Sequence, residues 1–183
     1  MENKSSVDDA VRGKISENRT LTQRIALYIP IYRGYKEKNL RREEDKAVRE
    51  LVATKLEAVK MDLATIQRST VGNLNAMREV ERLRSKVDKY YIDVKKTAAG
   101  YSGFGSSVKI LEKELDVVIE WDARLMDDAE ALKSKTEAII NEIDSRDANI
   151  SKLSRDLEVT LDKTMEDFLA RDAVLKGFEG VDA

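Results

Sequence analysis

Residue types that commonly do chemistry are scarce in this chain, because its 183 residues include no histidine and no cysteine. Ordinary zinc sites, the Glu-x-x-His pairs of di-iron bundles, histidine-based triads and cysteine nucleophiles each need one or both. Carboxylates remain, and they cluster at residues 43–45 and 127–130. Adjacent residues on a helix point in different directions, so we interpret both clusters as solvated surface. The sequence therefore predicts a protein that is not an enzyme and holds no metal or cofactor.

A glycine-rich stretch has the composition of an anion-binding loop. Gly100, Gly103 and Gly105 precede Ser106 and Ser107. The stretch follows a predicted helix rather than a strand, and its spacing matches neither the dinucleotide fingerprint nor the Walker pattern. We interpret it as a connector. The alternative is a weak anion site formed by Ser106, Ser107 and the first amides of the next helix.

Residues 24–49 combine aromatic and basic side chains, with eight Lys or Arg against four Asp or Glu. Tyrosine and isoleucine beside lysine and arginine suit a surface that binds a protein or an anionic membrane. We do not expect nucleic acid as a partner, because no reading motif is present. The alternative is that the segment folds back over the end of a helical bundle, with its tyrosines in the core. The candidate binding residues are Tyr28, Ile31, Tyr32, Arg33, Tyr35, Lys36, Lys38, Arg41 and Arg42.

The elements that position these residues are helices, as the apolar spacing between residues 108 and 143 indicates. This spacing of three and four keeps one apolar stripe on one side of a helix. The stripe consists of Val108, Leu111, Leu115, Val118, Leu125, Ala129, Leu132, Ile139 and Ile143. Asp122 and Thr136 fill its two remaining positions. We predict that Asp122 is a structural polar residue at this seam, paired with Arg or Tyr from the first two helices; the alternative is a catalytic or ligand-binding carboxylate.

The same apolar spacing along the rest of the chain predicts an all-α protein. Helices are expected at about 20–28, 35–69, 74–98, 107–144 and 149–176. They form a single domain over residues 20–178, which follows a flexible polar arm, 1–19, and precedes a tail, 179–183. Gly72 is expected to be left-handed at a helix end, and Asn73 to cap the next helix. The fold is an up-down four-helix bundle or a long antiparallel helical hairpin with coiled-coil-like packing. The hairpin results if the weak turn at 145–149 does not bend, because the last two helices then fuse into one rod.

Charge is distributed unevenly along the chain. Residues 1–100 hold 22 basic and 15 acidic side chains, whereas residues 101–183 hold 11 and 20. One interpretation of this asymmetry is that two helical pairs of opposite charge attract each other across a bundle. The alternative is that the basic half binds an anionic surface. The apolar stretch at 25–31 has seven residues, against the roughly 20 that span a bilayer, and the N-terminus lacks the apolar core of a signal peptide. We expect a cytoplasmic protein, with association at a membrane surface as the alternative.

Residues 29–42 read IPIYRGYKEKNLRR and resemble the I-P-x-Y-x-G-Y-x-x-K-x-x-R-R opening of a group of uncharacterised prokaryotic all-helical proteins. Similar pieces follow at residues 100–104, at Trp121-Asp122 and at 171–177, so the resemblance covers about residues 29–178. This chain has Ile31 where the group has glycine, and Trp121 where it has phenylalanine. The group has no established activity, so the resemblance implies a helical fold and no particular function.

A looser similarity is to phage-shock protein A and ESCRT-III-type proteins. These are long helical hairpins with a basic first half and an acidic second half, and they polymerise on membranes. We favour a non-enzymatic helical scaffold or adaptor that acts by protein–protein interaction or self-assembly. The alternatives are a peripheral membrane protein that assembles on anionic lipid, and a nucleotide- or anion-binding protein that uses the Gly100–Ser107 loop.

Overall fold

The computed structural model describes residues 20–37, 40–99, 112–143 and 150–177. Within these ranges the chain forms five helices and no strand, so the all-α prediction is confirmed. The helices are α1 over residues 20–28, α2 Arg41–Ser69, α3 Leu74–Ala99, α4 Glu112–Glu142 and α5 Ile150–Gly177. The predicted arm 1–19, the tail 179–183, Lys38, Ser106 and Ser107 lie outside the described residues.

The four long helices pack side by side as a closed bundle. Helix α2 packs against α3 and α4, and α5 packs against the same two helices, whereas the backbones of the diagonal pairs α2–α5 and α3–α4 do not approach closely within the described ranges. In the α4–α5 hairpin, Asp122 meets Arg171 and Asp128 meets Lys163, so the two helices run in opposite directions. The alternative in which these two helices fuse into one rod is therefore wrong.

The core is built from one apolar stripe on each long helix. On α4, every stripe position from Leu115 to Ile139 is buried, including the two polar ones, which confirms that part of the predicted seam. Burying one such leucine or valine contributes about 1.5–3 kcal/mol, so the stripes are the main source of stability. Because apolar residues are confined to one side, no helix in the described part of the chain is long and apolar enough to cross a membrane.

Two predictions about helix ends are wrong, and backbone conformation explains both. The helix expected from Tyr35 begins at Arg41 instead, because Gly34 and Tyr35 have positive φ angles of 70° and 59° and cannot lie in a helix. Gly72, expected to be left-handed, has no positive φ. Helix α2 ends instead through the N–H of Thr70, which donates to the carbonyls of Ile66 and Gln67.

The start of α3 follows its sequence signal. The side-chain Oδ1 of Asn73 accepts hydrogen bonds from the backbone N–H groups of Asn75 and Ala76 at 3.2 and 3.1 Å. These amides have no partner within the first turn of a helix, so the asparagine satisfies two of them. The predicted cap at Asn73 is confirmed.

Residues 20–37, which we call the cap, fold back onto the bundle near the start of α2 and the end of α5. Its inward side chains Ile25, Ile29, Tyr32 and Tyr35 are buried in the common core. On the outside, Arg24 forms an ion pair of 2.5 Å with Asp127 of α4. The sequence left open whether this segment forms a binding surface or folds back over the bundle. For Tyr32 and Tyr35 the segment folds back, because both side chains are buried in the core.

We expect Gly34→Ala to lower the free energy of unfolding by about 1–2 kcal/mol, because an L side chain is disfavoured in the left-handed region. A Cβ at Gly34 would also lie 3.0 Å from the Cδ1 of Ile119 and 3.1 Å from the Oγ1 of Thr22. The matched control is Gly72→Ala, since nothing lies within 4 Å of a Cβ there. Urea unfolding followed by circular dichroism measures both. Equal losses in the two variants would contradict this account of the turn.

Candidate functional site

Asp122 is the centre of a buried polar site. Its Oδ2 accepts hydrogen bonds from the hydroxyls of Tyr32 and Tyr35, both at 2.6 Å, and its Oδ1 accepts one from the Nε of Arg171. The carboxylate is fully buried. The partner types are the expected Arg and Tyr, but their sources differ from the expectation. Both tyrosines precede α2 without being helical, and the arginine comes from α5.

Arg171 extends the site to α2. Its Nη2 donates to the hydroxyl of Tyr35 at 2.7 Å, and its Nη1 lies 2.7 Å from the Oδ1 of Asp45. Asp45 also accepts from the Nε of Arg49 at 3.0 Å, and the Nη2 of Arg49 lies 2.5 Å from Asp172. All these side chains are buried. We call Asp45, Arg49, Asp122, Arg171 and Asp172 the charge network; it alternates three carboxylates with two guanidinium groups and joins α2, α4 and α5.

Helical spacing positions the members of the network on α2. Asp45 and Arg49 are four residues apart, which places them one above the other on the same face of the helix. Val48 and Val52, on the same side, are also buried. The guanidinium of Arg49 lies over the ring of Phe168, 5.5 Å from its centre, so the apolar seam and the charges share one interior.

The interpretation of residues 43–45 and 127–130 as solvated surface is wrong for three residues. Glu44, Asp45 and Asp128 are buried. Asp45 meets Arg171, 126 residues away along the chain, and Asp128 meets Lys163 at 2.6 Å. The available signal was that Asp45 and Arg49 fall on the apolar face of their helix, where a charged pair needs a further partner.

Electrostatics keep Arg171 and Asp45 charged and the hydroxyls of Tyr32 and Tyr35 protonated. Burial alone would lower the pKa of Arg171, but Asp122, Tyr35 and Asp45 raise it well above its usual value. Burial alone would raise the pKa of Asp45, but Arg171 and Arg49 lower it. Burial raises the pKa of Tyr32 and of Tyr35, and the Asp122 charge adds to this effect. Both hydroxyls therefore remain donors, and Arg171 remains charged.

Glu44 fixes the left-handed turn of the cap. Its Oε2 accepts a hydrogen bond of 2.8 Å from the backbone N–H of Tyr35, while its Oε1 has no hydrogen-bond partner among the described residues. Burial and the charge of Asp122 raise the pKa of Glu44, against the opposing effect of the N–H groups of Tyr35 and Arg33. The carbonyl of Tyr35 in turn accepts from the Nε of Arg41 at 2.8 Å.

The residues predicted to bind a partner divide into two groups. Tyr32, Tyr35 and Arg41 are buried, so placing them on a binding surface is wrong; their polar atoms are occupied inside the protein. Tyr28, Ile31, Arg33, Lys36 and Arg42 are exposed. Leu27 belongs to the same predicted segment but not to the candidate binding residues, and it is more exposed than either Tyr28 or Ile31. We define the outer face of the cap as Leu27, Tyr28, Ile31, Arg33 and Lys36.

The contacts of the charge network join α2, α4 and α5 to one another and to the cap. Three carboxylates lie in the network, but no group of metal-ligating side chains with suitable geometry occurs in the described ranges. A groove of about 630 Å³ lies elsewhere, between Lys86–Lys96 of α3 and Asp162–Leu169 of α5. Arg171 and the two tyrosines direct their donors at Asp122, so the arrangement holds the cap against α4 and α5.

No known family model matches the chain, and neither a curated protein nor a solved structure shows significant similarity to it. The resemblance of residues 29–42 to the uncharacterised helical group and the looser similarity to phage-shock protein A and ESCRT-III-type proteins therefore stay predictions.

We expect Arg171→Met to lower the free energy of unfolding by about 3–5 kcal/mol, because it leaves Asp122 and Asp45 buried without their guanidinium partner. The matched control is Lys133→Met. Lys133 pairs with Glu137 at 3.9 Å, and both side chains are exposed, so its loss should stay below about 1 kcal/mol. Urea unfolding at neutral pH measures both variants. A loss at Arg171 no larger than at Lys133 would show that the network contributes little to stability.

We expect the destabilisation caused by Asp45→Asn to depend on pH. Because the pKa of Asp45 is lowered in the folded protein, its ionised form stabilises the fold above its ordinary pKa of 3.8, and this contribution is lost as pH falls through the lower folded value. The difference in unfolding free energy between wild type and variant should therefore be largest near neutrality and shrink in acid. Urea titrations at several pH values test this; a difference that stays constant into acid would rule it out.

Proposed function

We propose that this chain is a non-enzymatic helical adaptor that binds a protein partner through the outer face of the cap. The observation that carries the proposal is the exposure of three large apolar side chains on one short segment. Leu27 is 83% exposed, Tyr28 42% and Ile31 45%. Scattered apolar residues are ordinary on protein surfaces, but a group on one segment is typical of an interaction site.

The cap has two sides with different tasks. Ile25, Ile29, Tyr32 and Tyr35 point inward and are buried, while Leu27, Tyr28 and Ile31 lie between them in the sequence and face outward. Burying a leucine or isoleucine side chain in a complex contributes about 1.5–3 kcal/mol. Two or three such anchors are enough to dominate the affinity of a small interface.

Rigid anchoring of the inner side favours binding by the outer side. The hydroxyls of Tyr32 and Tyr35 bind Asp122, and the backbone N–H of Tyr35 binds Glu44. These buried hydrogen bonds place the outer side chains before a partner arrives. A preorganised surface loses less conformational entropy on binding than a flexible arm does.

The charges around the outer face favour an acidic partner. Arg33 and Lys36 of the cap and Arg42 at the start of α2 are exposed, against the exposed Glu37 and Glu43. Arg33 is held in place because its Nη1 donates to the carbonyls of Pro30 and Tyr32 at 2.8 and 2.9 Å. Acidic residues on a partner would complement this surplus and accelerate encounter.

The same combination of apolar and basic side chains supports a second candidate, attachment to an anionic membrane surface. Tyrosine and isoleucine can enter the headgroup region while arginine and lysine contact anionic lipid. Self-association through the outer face is a further form of the leading proposal. The third hypothesis, anion binding by Ser106 and Ser107, concerns residues outside the described ranges and stays a prediction of the sequence.

We expect the double variant Leu27→Ser, Ile31→Ser to lose partner binding by about 10–100-fold, from the removal of two apolar anchors. The matched control is Met61→Ser, Val159→Ser, since both residues are similarly exposed but lie on α2 and α5. Quantitative cross-linking in extracts of the source cells compares the proteins bound by wild type and both variants. Sedimentation velocity compares their self-association.

Binding that survives in the cap variant, or falls equally in the control, would refute the outer face as the binding surface. Sedimentation with anionic vesicles at low and high salt separates the second candidate. Vesicle binding that weakens with salt and requires Leu27 and Ile31, without loss of any bound protein, would replace the adaptor by a membrane-surface protein.

A further inference from the structure

We propose that the cap opens from the bundle as a unit while α2 to α5 stay folded, and that ionisation of Glu44 favours the open form. Opening would remove the contacts with the bundle that position Leu27, Tyr28 and Ile31. The opening does not depend on any partner. Its consequence for binding rests on the proposed function, because a partner of the outer face would then bind only the closed form.

Chain topology allows the cap to move independently. The cap precedes α2, so residues 38–40 are the only covalent connection between it and the four long helices. Those helices contact one another in a closed ring that does not include the cap. Detaching the cap would therefore leave in place the contacts that α2 and α5 each make with α3 and α4. Segments with this arrangement open at a lower free energy than the whole protein unfolds.

The closed cap contains features that oppose closure. Tyr35 has a φ of 59°, in a region that L residues rarely adopt. Gly34, with a φ of 70°, adopts the same region without strain because it lacks a Cβ. Opening the cap relieves the strain at Tyr35 but exposes its inward side chains, so closure is held by their burial together with the polar contacts of the turn.

Two carboxylates of the bundle hold the turn. Asp122 accepts the hydroxyls of Tyr32 and Tyr35 and is itself compensated by Arg171. Glu44 accepts the N–H of Tyr35, but its Oε1 is buried without a hydrogen-bond partner among the described residues. Burying a carboxylate oxygen without a donor disfavours its ionised form. We therefore expect the contact made by Glu44 to depend on its protonation.

The charged groups around Glu44 come from three elements. Arg33 of the cap and Arg41 of α2 attract its negative charge, whereas Asp122 of α4 repels it. The N–H groups of Tyr35 and Arg33 also favour the ionised form. Burial outweighs these attractions, so the pKa of Glu44 lies above its ordinary value of 4.5 in the closed form. In the open form, exposure to water returns it towards that value.

The sign of the pH effect follows from this difference. The closed form holds the proton of Glu44 more tightly than the open form does, so closure is favoured at low pH. As pH rises from 4.5 through the raised pKa of the closed form, the contribution is lost and the open population grows. A partner that binds only the closed form would consequently bind more tightly in mildly acidic solution.

The test uses the absence of cysteine from the chain. Single variants Ile29→Cys and Ile66→Cys place a thiol in the cap and in α2, because both isoleucines are buried. Ile66 lies three residues before the end of α2, which makes it a stringent control for local opening. Labelling rates with a small thiol reagent, each divided by the rate of the urea-unfolded variant at the same pH, report the open fraction.

We expect the thiol at position 29 to react at least about tenfold faster than the thiol at position 66, and the ratio to grow as pH rises from 4.5 to 8. In a Glu44→Gln background the ratio should no longer change with pH. Glu43→Gln is the matched control, since Glu43 is exposed, and should keep the pH dependence of the parent.

Equal rates at the two positions would show that the cap opens only when the whole protein unfolds, which would overturn the proposal. A ratio that falls as pH rises, or that does not change with pH, would exclude the role of Glu44. The ratio measured with native Glu44 decides this even if Glu44→Gln does not fold. Because no partner is present, failure here is distinguishable from failure of the adaptor proposal, which vesicle and cross-linking measurements decide separately.

Discussion

The positive charge of Arg171, enclosed in the interior, is the constraint on which the rest of this structure depends. A guanidinium away from water is tolerated only when carboxylates surround it in good geometry. Asp122 and Asp45 supply them from two other helices, and the hydroxyl of Tyr35 takes a further donor. Sliding α5 along its neighbours would separate these groups, so one buried cation fixes the register of three helices.

The same constraint positions the cap. Asp122 satisfies Arg171 through one oxygen and the hydroxyls of Tyr32 and Tyr35 through the other. The tyrosines draw residues 20–37 against the bundle, and the residues between them face outward. The same short segment therefore contacts the buried charges on its inner side and carries the exposed apolar residues on its outer side. The position of the proposed binding surface consequently depends on the buried polar contacts.

The predictions that succeeded concern properties a helix has by itself. The buried stripe of α4 from Leu115 to Ile139 follows from spacing alone, and the N-terminal capping of helix α3 follows from Asn73 alone. The predictions that failed at the buried site concern residues whose environment comes from elsewhere. Glu44 and Asp45 belong to an acidic run typical of solvated surface, yet a turn of the cap and an arginine of α5 enclose them.

The sequence by itself determined the all-α class, the buried stripe of α4 and the presence of a polar residue at the seam, because apolar periodicity is a local property of a helix. Only the tertiary structure decided which charges meet and which tyrosines are buried. Tyr35 and Arg171 lie 136 residues apart in the chain and form a hydrogen bond in the core. No local pattern specifies such a contact, because its energy depends on burial, and burial is set only when all the helices pack together.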